Sequence, residues 1–244
     1  MNTLIIIPTR LASTRLPGKA LANIAGKPMI IRVYEQALRA NIGDVIVASG
    51  DKEISEVVRK FGGYSIDTDP KLASGSDRVY QALTQIKNIE NYQTIINLQG
   101  DLPLINPEDI SQVLVPLMDD SIDMATLISP IRTEFEKTAP SVVKVACSFI
   151  KDKPYARAMY FSRSLIPWGE GMYWHHIGVY AYRLKTLKTF VQLPVSPLEQ
   201  RENLEQLRAL EAGMVIGCAC IKKPPFGVDT AEDLQRVREA LKNE

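Results

Sequence analysis

Three short stretches in the first hundred residues are almost wholly apolar: Leu4–Pro8, the run after Asp44 through Ala48, and Thr94–Leu98. Successive apolar positions, rather than alternate ones, mark strands buried on both faces, which is the habit of a parallel sheet covered by helices. Parallel neighbours need a long crossover, and the intervening segments have the helical period that such crossovers require. Pro28 stands where the first helical residue is expected, with Met29, Ile30, Val33, Ala37 and Leu38 recurring at helical spacing. Glu53–Phe61 reads as a second helix stopped by Gly62-Gly63, and Tyr64–Asp67 as a weaker strand. Ser76–Ile86 has Val79, Ala82, Leu83 and Ile86 on one stripe, and a helix over Pro107–Met118 has Asp109 near its positive end.

The second half is less regular. Met124–Ile128, Val142–Phe149, Tyr173–Arg183 and Met214–Ile221 read as strands, and Leu184–Gln192, Pro197–Ala212 and Ala231–Leu241 as helices. No Gly/Ser linker marks a boundary. The expectation is therefore an α/β chain with a mostly parallel central sheet, helices on both faces, and a smaller α+β region. Residues 1–244 form one domain in this reading, with a distinct subregion at about 148–200.

Charge narrows the partners. Lys and Arg number 29 against 28 Asp and Glu, a net +1, so the broad basic surface of a nucleic-acid binder is not expected. Three cysteines without a CxxC pair give neither a disulfide framework nor a zinc knuckle; Cys218 and Cys220, two apart in an apolar run, are expected as small buried residues on one strand face. Met1–Pro8 lacks a basic leader and a small-residue cleavage site, so it reads as a first strand. No apolar run reaches about twenty residues, so no membrane partner is expected and the location expected is cytoplasmic.

Ligands of open parallel sheets bind beyond the carboxyl ends of the strands. The loop after the first strand there carries Arg10, Arg15 and Lys19 with Ser13, Thr14 and Gly18: three cations and a glycine that permits close backbone approach, a set that suits a polyphosphate. Walker spacing and GxGxxG are both absent. Gln99-Gly100-Asp101 ends another apolar strand, where a carboxylate can hold a divalent ion against phosphates or simply serve a turn. Asp229 is a second such carboxylate, competing with a role as N-cap of the last helix that Thr230 could equally fill. Ser74-Gly75-Ser76-Asp77-Arg78 is either a capped helix start or a loop presenting amides and Arg78 to a ligand. Along Tyr173–Tyr182, Ile177, Val179 and Ala181 share one face, expected in the core. Trp174, His176, Gly178 and Tyr180 share the other, which reads either as structural or as the wall of a polar pocket.

Taken together these strings resemble the 3-deoxy-manno-octulosonate (Kdo) cytidylyltransferase family. The resemblance runs from Pro8-Thr9-Arg10-Leu11-Ala12-Ser13-Thr14-Arg15-Leu16-Pro17-Gly18-Lys19 through Gly26-Lys27-Pro28-Met29, Ser74–Arg78 and Gln99–Asp101. It continues through Tyr160-Phe161-Ser162-Arg163, Ile166-Pro167-Trp168, His176–Tyr180, Leu204-Glu205-Gln206-Leu207-Arg208 and Gly227-Val228-Asp229-Thr230, in family order over nearly the whole chain. It implies a glycosyltransferase-A-like nucleotidyltransferase fold, a homodimer formed through the smaller region, and transfer of CMP from CTP to the anomeric hydroxyl of an acidic eight-carbon sugar, Kdo, for lipopolysaccharide synthesis. By matching positions, Arg10, Lys19 and nearby Arg15 would hold the triphosphate, and Ser74, Gly75, Arg78 and Gln99 would line the nucleotide site. Asp101 and Asp229 would bind Mg2+, the implied cofactor, and Arg163, His176, Tyr180, Glu205 and Gln206 would hold the sugar acid. Arg10, Lys19, Asp101 and Asp229 would thus carry the catalysis.

Two features depart from the family pattern. Leu102 stands where many relatives have glutamate, and Ser49-Gly50-Asp51 replaces a more acidic turn, which leaves a site role for Asp51 open. Three competing readings carry different consequences. A cytidylyltransferase for 8-amino-Kdo or a sialic acid would differ in sugar, a transferase consuming a nucleotide sugar would not need the triphosphate loop, and a binding-only regulator would not need both aspartates.

Overall fold

A computed structural model describes Asn2 to Leu241. The chain forms two compact units, one built from the stretch up to Ile110 with the stretch from Pro225 onward, the other from Ser111–Pro224. The subregion expected at about 148–200 lies inside the second.

The first unit has four parallel strands in the order β5-β4-β1-β6: β1 (Thr3–Thr9), β4 (Asp44–Ser49), β5 (Ser65–Asp67) and β6 (Thr94–Asn97). Every residue of β1 is buried, as a run of successive apolar residues requires. A small hairpin of β2 (Asn23–Ile24) and β3 (Lys27–Pro28), not legible beforehand, precedes α1 (Met29–Ala40). Pro28 is the N-cap of α1 rather than its first residue, and Asn41 ends the helix in the left-handed conformation at φ 51°. Leu38, read as part of the core stripe, is half exposed; the buried face is Met29, Ile30, Ile31, Val33, Tyr34 and Ala37. Helices α2 (Lys52–Lys60) and α3 (Gly75–Leu83) pack on these strands, α3 ending three residues before the expected Ile86. The helix expected over Pro107–Met118 stops as α4 (Pro107–Gln112). A 3-10 turn at Val115–Met118 follows, containing Pro116, which has no amide to continue an α-helix.

The second unit orders its strands β10-β7-β11-β9-β8: β7 (Met124–Pro130), β8 (Lys144–Phe149), β9 (Tyr155–Ser162), β10 (Trp174–Arg183) and β11 (Ile216–Cys220). Only β11 and β7 run parallel here, so the expectation of a mostly parallel sheet holds for the first unit and not for this one. Helices α5 (Glu134–Thr138) and α6 (Leu184–Phe190) flank β7 and β10 in sequence. The single helix expected over Pro197–Ala212 is two, α7 (Pro197–Glu202) and α8 (Gln206–Glu211), broken where Asn203 turns left-handed at φ 53°. Cys218 is buried as expected, whereas Cys220, at the end of β11, is exposed.

The chain returns to the first unit with α9 (Ala231–Ala240). Among the described residues no helix is long and apolar enough to cross a membrane.

Candidate active site

Parallel pairing sets the carboxyl ends of β1, β4 and β6 on one edge: Thr9 pairs with Ser49, and Ile6 with Asn97. Three loops therefore leave the sheet side by side. Gly50 N–H donates to Thr9 O at 2.9 Å and Leu98 N–H to Ile6 O at 3.1 Å. A Cβ on Gly100 would lie 3.1 Å from Pro8 O, a tight contact that glycine avoids where the third loop passes the first.

Between these loops lies a cavity of about 370 Å³, a volume in the range of small-ligand sites. Its wall includes Arg10, Arg15, Lys19, Ser74, Gly75, Arg78, Gln99, Asp101 and Asp229, so the structure brings together every residue that the sequence reading assigned to the nucleotide and the metal.

Lys19 is the centre of its charged end. Its Nζ donates to Asp101 Oδ2 at 2.8 Å, to the Val228 carbonyl at 3.0 Å and to Asp229 Oδ1 at 3.1 Å. Burial alone would lower the lysine's proton affinity; the two carboxylates outweigh it and leave the ammonium raised above its ordinary value. Arg15 Nη2 meets the other oxygen of Asp229 at 3.0 Å, a pair open enough to solvent to contribute little to stability.

Local packing explains why two aspartates so distant in sequence converge. Val228 is fully buried with Ile24, Met29, Leu234 and Val237, and its N–H donates to Asp101 O at 2.9 Å. Burying this valine draws the strand-end turn and the approach to α9 together. Thr230, not Asp229, caps α9: its hydroxyl accepts the Asp233 N–H at 3.2 Å within a full capping box. The Asp229 carboxylate is thereby released from the helix for the cavity. Three oxygens within 3.1 Å of one ammonium make a cation seat whose donors, two carboxylates and a carbonyl, are those a magnesium ion uses. Leu102, next to Asp101, is buried and adds no oxygen.

At the other end, Ser74 resolves the alternatives left by sequence. It is the N-cap of α3, accepting the Asp77 N–H at 3.1 Å, and it lines the cavity as well. Arg78 is almost fully buried, with Nη1 donating to Thr68 Oγ1 at 2.6 Å and to Asp69 O at 3.0 Å. Burial and neighbouring Arg10 pull its proton affinity down, while Asp51 and Asp69 push it up; an arginine stays charged throughout. Gln99 Nε2 donates to Asn97 Oδ1 at 3.0 Å. Arg10 Nη1 reaches the Leu72 carbonyl at 3.2 Å.

The five residues assigned to the sugar lie in the second unit. Arg163 is held by backbone: Nε donates to Glu202 O at 2.9 Å, Nη1 to Pro140 O at 3.0 Å and Nη2 to Asn203 O at 3.3 Å. The carbonyls of Glu202 and Asn203 are available because the helix breaks at Asn203, and the same break begins α8 with Gln206 directly after Glu205. Burial, with Tyr182 and then Glu205 adding to it, raises the Tyr180 phenol well above the usual range.

The strand face of His176 and Tyr180 is not the open wall it could have been. Both are buried, because Phe161, His176, Tyr180, Tyr182 and Phe190 stack in succession with centroids 4.9–6.0 Å apart. His176 Nε2 lies 3.1 Å from Thr126 Oγ1, beside a register shift between Ile177 and Tyr180. Desolvation, with His175 adding repulsion, lowers its imidazole to about 3 and keeps it neutral. Open space remains at Gly178, between the two rings in sequence, and Gln206 Nε2 is a deeply buried donor without a protein acceptor.

Sequence reasoning left Asp51 open and missed the Val228 carbonyl, because a backbone oxygen carries no residue signal. Thr68 and Asn97, which hold Arg78 and Gln99 in place, were missed for a related reason: their role depends on cross-chain contact.

A parallel α/β unit with a cationic loop, a capped helix start and two convergent aspartates around one cavity defines a nucleotidyltransferase. A nucleotidyl transferase from Methanothermobacter has the same fold, with a TM-score of 0.61 over 100% of this chain and 99% of that one at 14% identity. The sequence model described as Cytidylyltransferase matches residues 4–216. A Parvibaculum lavamentivorans protein named 3-deoxy-manno-octulosonate cytidylyltransferase is 50% identical over 240 residues, 98% of this chain and 93% of that protein. The solved structure of CMP:2-keto-3-deoxy-manno-octonic acid synthetase complexed with CTP is 39% identical, with a TM-score of 0.91 over 100% of this chain and 99% of its own. The chain belongs to the 3-deoxy-manno-octulosonate cytidylyltransferase family.

Proposed function

We infer that this chain transfers CMP from CTP to the anomeric hydroxyl of 3-deoxy-manno-octulosonate, giving CMP-Kdo and pyrophosphate for lipopolysaccharide synthesis. The observation that carries the reading is the convergence of Lys19, Asp101 and Asp229 at the charged end of one cavity whose wall also holds Arg10, Arg15 and Gln99. The names of its relatives and its structural neighbour support the same substrates.

In the reaction the sugar oxygen bonds to the α-phosphorus while the bond from that phosphorus to the β-phosphate oxygen breaks. The hydroxyl proton passes to solvent, and pyrophosphate leaves with the bonding electrons on the bridging oxygen. Such transfers need alignment and charge neutralisation more than covalent help, and no protein nucleophile is required. Arg10, Arg15 and Lys19 bear positive charge toward the triphosphate and the departing pyrophosphate. Ser74, Gly75, Arg78 and Gln99 hold the nucleoside. Arg163, with its planar fork, suits the carboxylate of the sugar acid, and His176, Tyr180, Glu205 and Gln206 suit its hydroxyls.

Asp101, Asp229 and the Val228 carbonyl would hold magnesium. When bound, the ion would draw charge from the α-phosphate and lower the pKa of the attacking hydroxyl. Lys19, now bonded to both carboxylates, would then be free to meet phosphate oxygens.

A homodimer is part of this proposal. Trp168 is fully exposed, and Met172, Met159 and Phe149 are more than half exposed, residue types enriched in interface cores. A cytoplasmic location fits the use of CTP.

The test is pyrophosphate release with CTP, magnesium and a panel of acids: Kdo, 8-amino-Kdo and N-acetylneuraminic acid. Turnover with Kdo at least tenfold more efficient than with the others is expected. Preference for either of the others would reassign the sugar, and absence of turnover with all three would overturn the reading.

A further inference from the structure

Asp51 stands at the N-cap position of α2 with extended backbone, φ −138° and ψ 131°. An aspartate in that position ordinarily accepts an amide from the first turn of its own helix. This one makes no such bond. Its Oδ2 instead takes the N–H of Leu11 at 2.7 Å, from a loop 40 positions earlier in the chain.

The turn that presents this carboxylate is tightly fixed. Ser49, fully buried, donates through Oγ to Asp51 O at 2.8 Å and accepts the Asp51 N–H on the same oxygen at 3.1 Å. Gly50 is tied to Thr9 O, and a Cβ there would stand 2.7 Å from Arg78 Nη1 and 3.3 Å from Arg10 Cβ. The turn therefore lies against two of the site arginines with no spare room.

On the receiving side, Leu11 is the closing point of the basic loop. Its carbonyl accepts the Gly18 N–H at 3.0 Å, and Gly18, left-handed at φ 69°, turns the chain directly into Lys19. A short chain of hydrogen bonds thus runs from Asp51 to Leu11 to Gly18, with Arg10 at one end of the closed loop and Lys19 at the other.

We propose that Asp51 is the positioning residue of the triphosphate loop: by fixing the Leu11 amide it sets Arg10 and the Gly18–Lys19 corner in register for the phosphates, without touching the nucleotide. This rests on the assignment of the cavity to CTP. It gives the turn at 49–51 a definite task, carried by a single acceptor oxygen.

The experiment compares wild type, Asp51→Ala and Asp51→Asn. CTP binding is measured by calorimetry with magnesium chloride and no sugar, followed by KM for CTP, KM for Kdo, kcat and Tm. Asp51→Ala loses the acceptor and is expected to weaken CTP binding about tenfold, with KM for CTP rising in parallel. KM for Kdo should stay within about twofold and Tm within a few degrees, since no helix cap is lost. Asparagine retains an acceptor oxygen, so Asp51→Asn should recover to within about threefold of wild type. Wild-type CTP affinity in Asp51→Ala, or equal damage in Asp51→Asn, would overturn the proposal. Failure of the wild-type protein itself to bind CTP would overturn the nucleotide assignment, and the proposal with it.

Discussion

Replacing Asp229 by asparagine tests the metal seat with the smallest change of shape. In the structure Asp229 shares Lys19 with Asp101 and separately meets Arg15, so two anions face two cations. The substitution leaves that group with one excess positive charge. Two unit charges about 4 Å apart interact by roughly 1 kcal/mol in bulk water and roughly 4 kcal/mol at the effective dielectric of a partly buried site. The side chains of Asp101 and Asp229 are 31% and 44% exposed, between those limits. A loss of roughly 3 kcal/mol in transition-state stabilisation follows, about two powers of ten in rate. Folding is insulated from the change: Thr230 caps α9, and the Asp229 N–H is held by Asp233 Oδ2 at 3.1 Å whatever the side chain. The exposed pair with Arg15 is worth at most about 1 kcal/mol, a shift of about 2–4 °C in Tm for a chain of this size. The assay is turnover against magnesium concentration for wild type, Asp101→Asn, Asp229→Asn and the double variant. If both carboxylates act through one ion, the double variant loses far less than the product of the single losses. Near-wild-type turnover of Asp229→Asn at limiting magnesium would refute the reasoning and reduce Asp229 to a partner of Lys19 and Arg15.

Three further outcomes are expected. Arg163→Ala should raise KM for the sugar while calorimetry finds CTP affinity unchanged; an equal loss for both ligands would contradict the assignment of its guanidinium to the sugar carboxylate. Sedimentation at micromolar concentration should detect a species of twice the 27.2 kDa chain mass, and a single species at the chain mass would remove the homodimer. His175 and His176 have imidazoles lowered by burial to about 4 and about 3, so between pH 6.5 and 4 the unfolded chain takes up protons that the folded chain refuses. Stability should therefore be level above pH 6.5 and fall below it, by up to about 1.4 kcal/mol per pH unit for each histidine. An unchanged urea midpoint between pH 7.5 and 5 would show that these rings are not desolvated.

By itself the sequence determined the parallel half of the fold and the basic loop after β1, because both depend on neighbours in the chain. Successive apolar residues in β1, β4 and β6 dictate strands covered on both faces, and parallel strands force their following loops to one edge. The loops carrying Arg10, Lys19 and Asp101 could then be placed on one edge before any contact was known, whereas their assignment, with Gln99, to a nucleotide and a metal came from the family resemblance. The second unit was less legible. The sequence of β9, Tyr-Ala-Arg-Ala-Met-Tyr-Phe-Ser, has neither strict alternation nor strong strand formers throughout; pairing with β8 and β11 makes it a strand. The break at Asn203 was hidden in a continuous helical period, and only its left-handed backbone frees the carbonyls that hold Arg163. Whether Asp229 capped a helix was likewise decided in three dimensions, by the burial of Val228 and the capping box of Thr230. Asp51 is the clearest case. The structure puts it at the N-cap of α2, yet a hydrogen bond to a residue 40 positions away wins over a local cap, because parallel pairing of β1 with β4 puts the Leu11 amide within its reach.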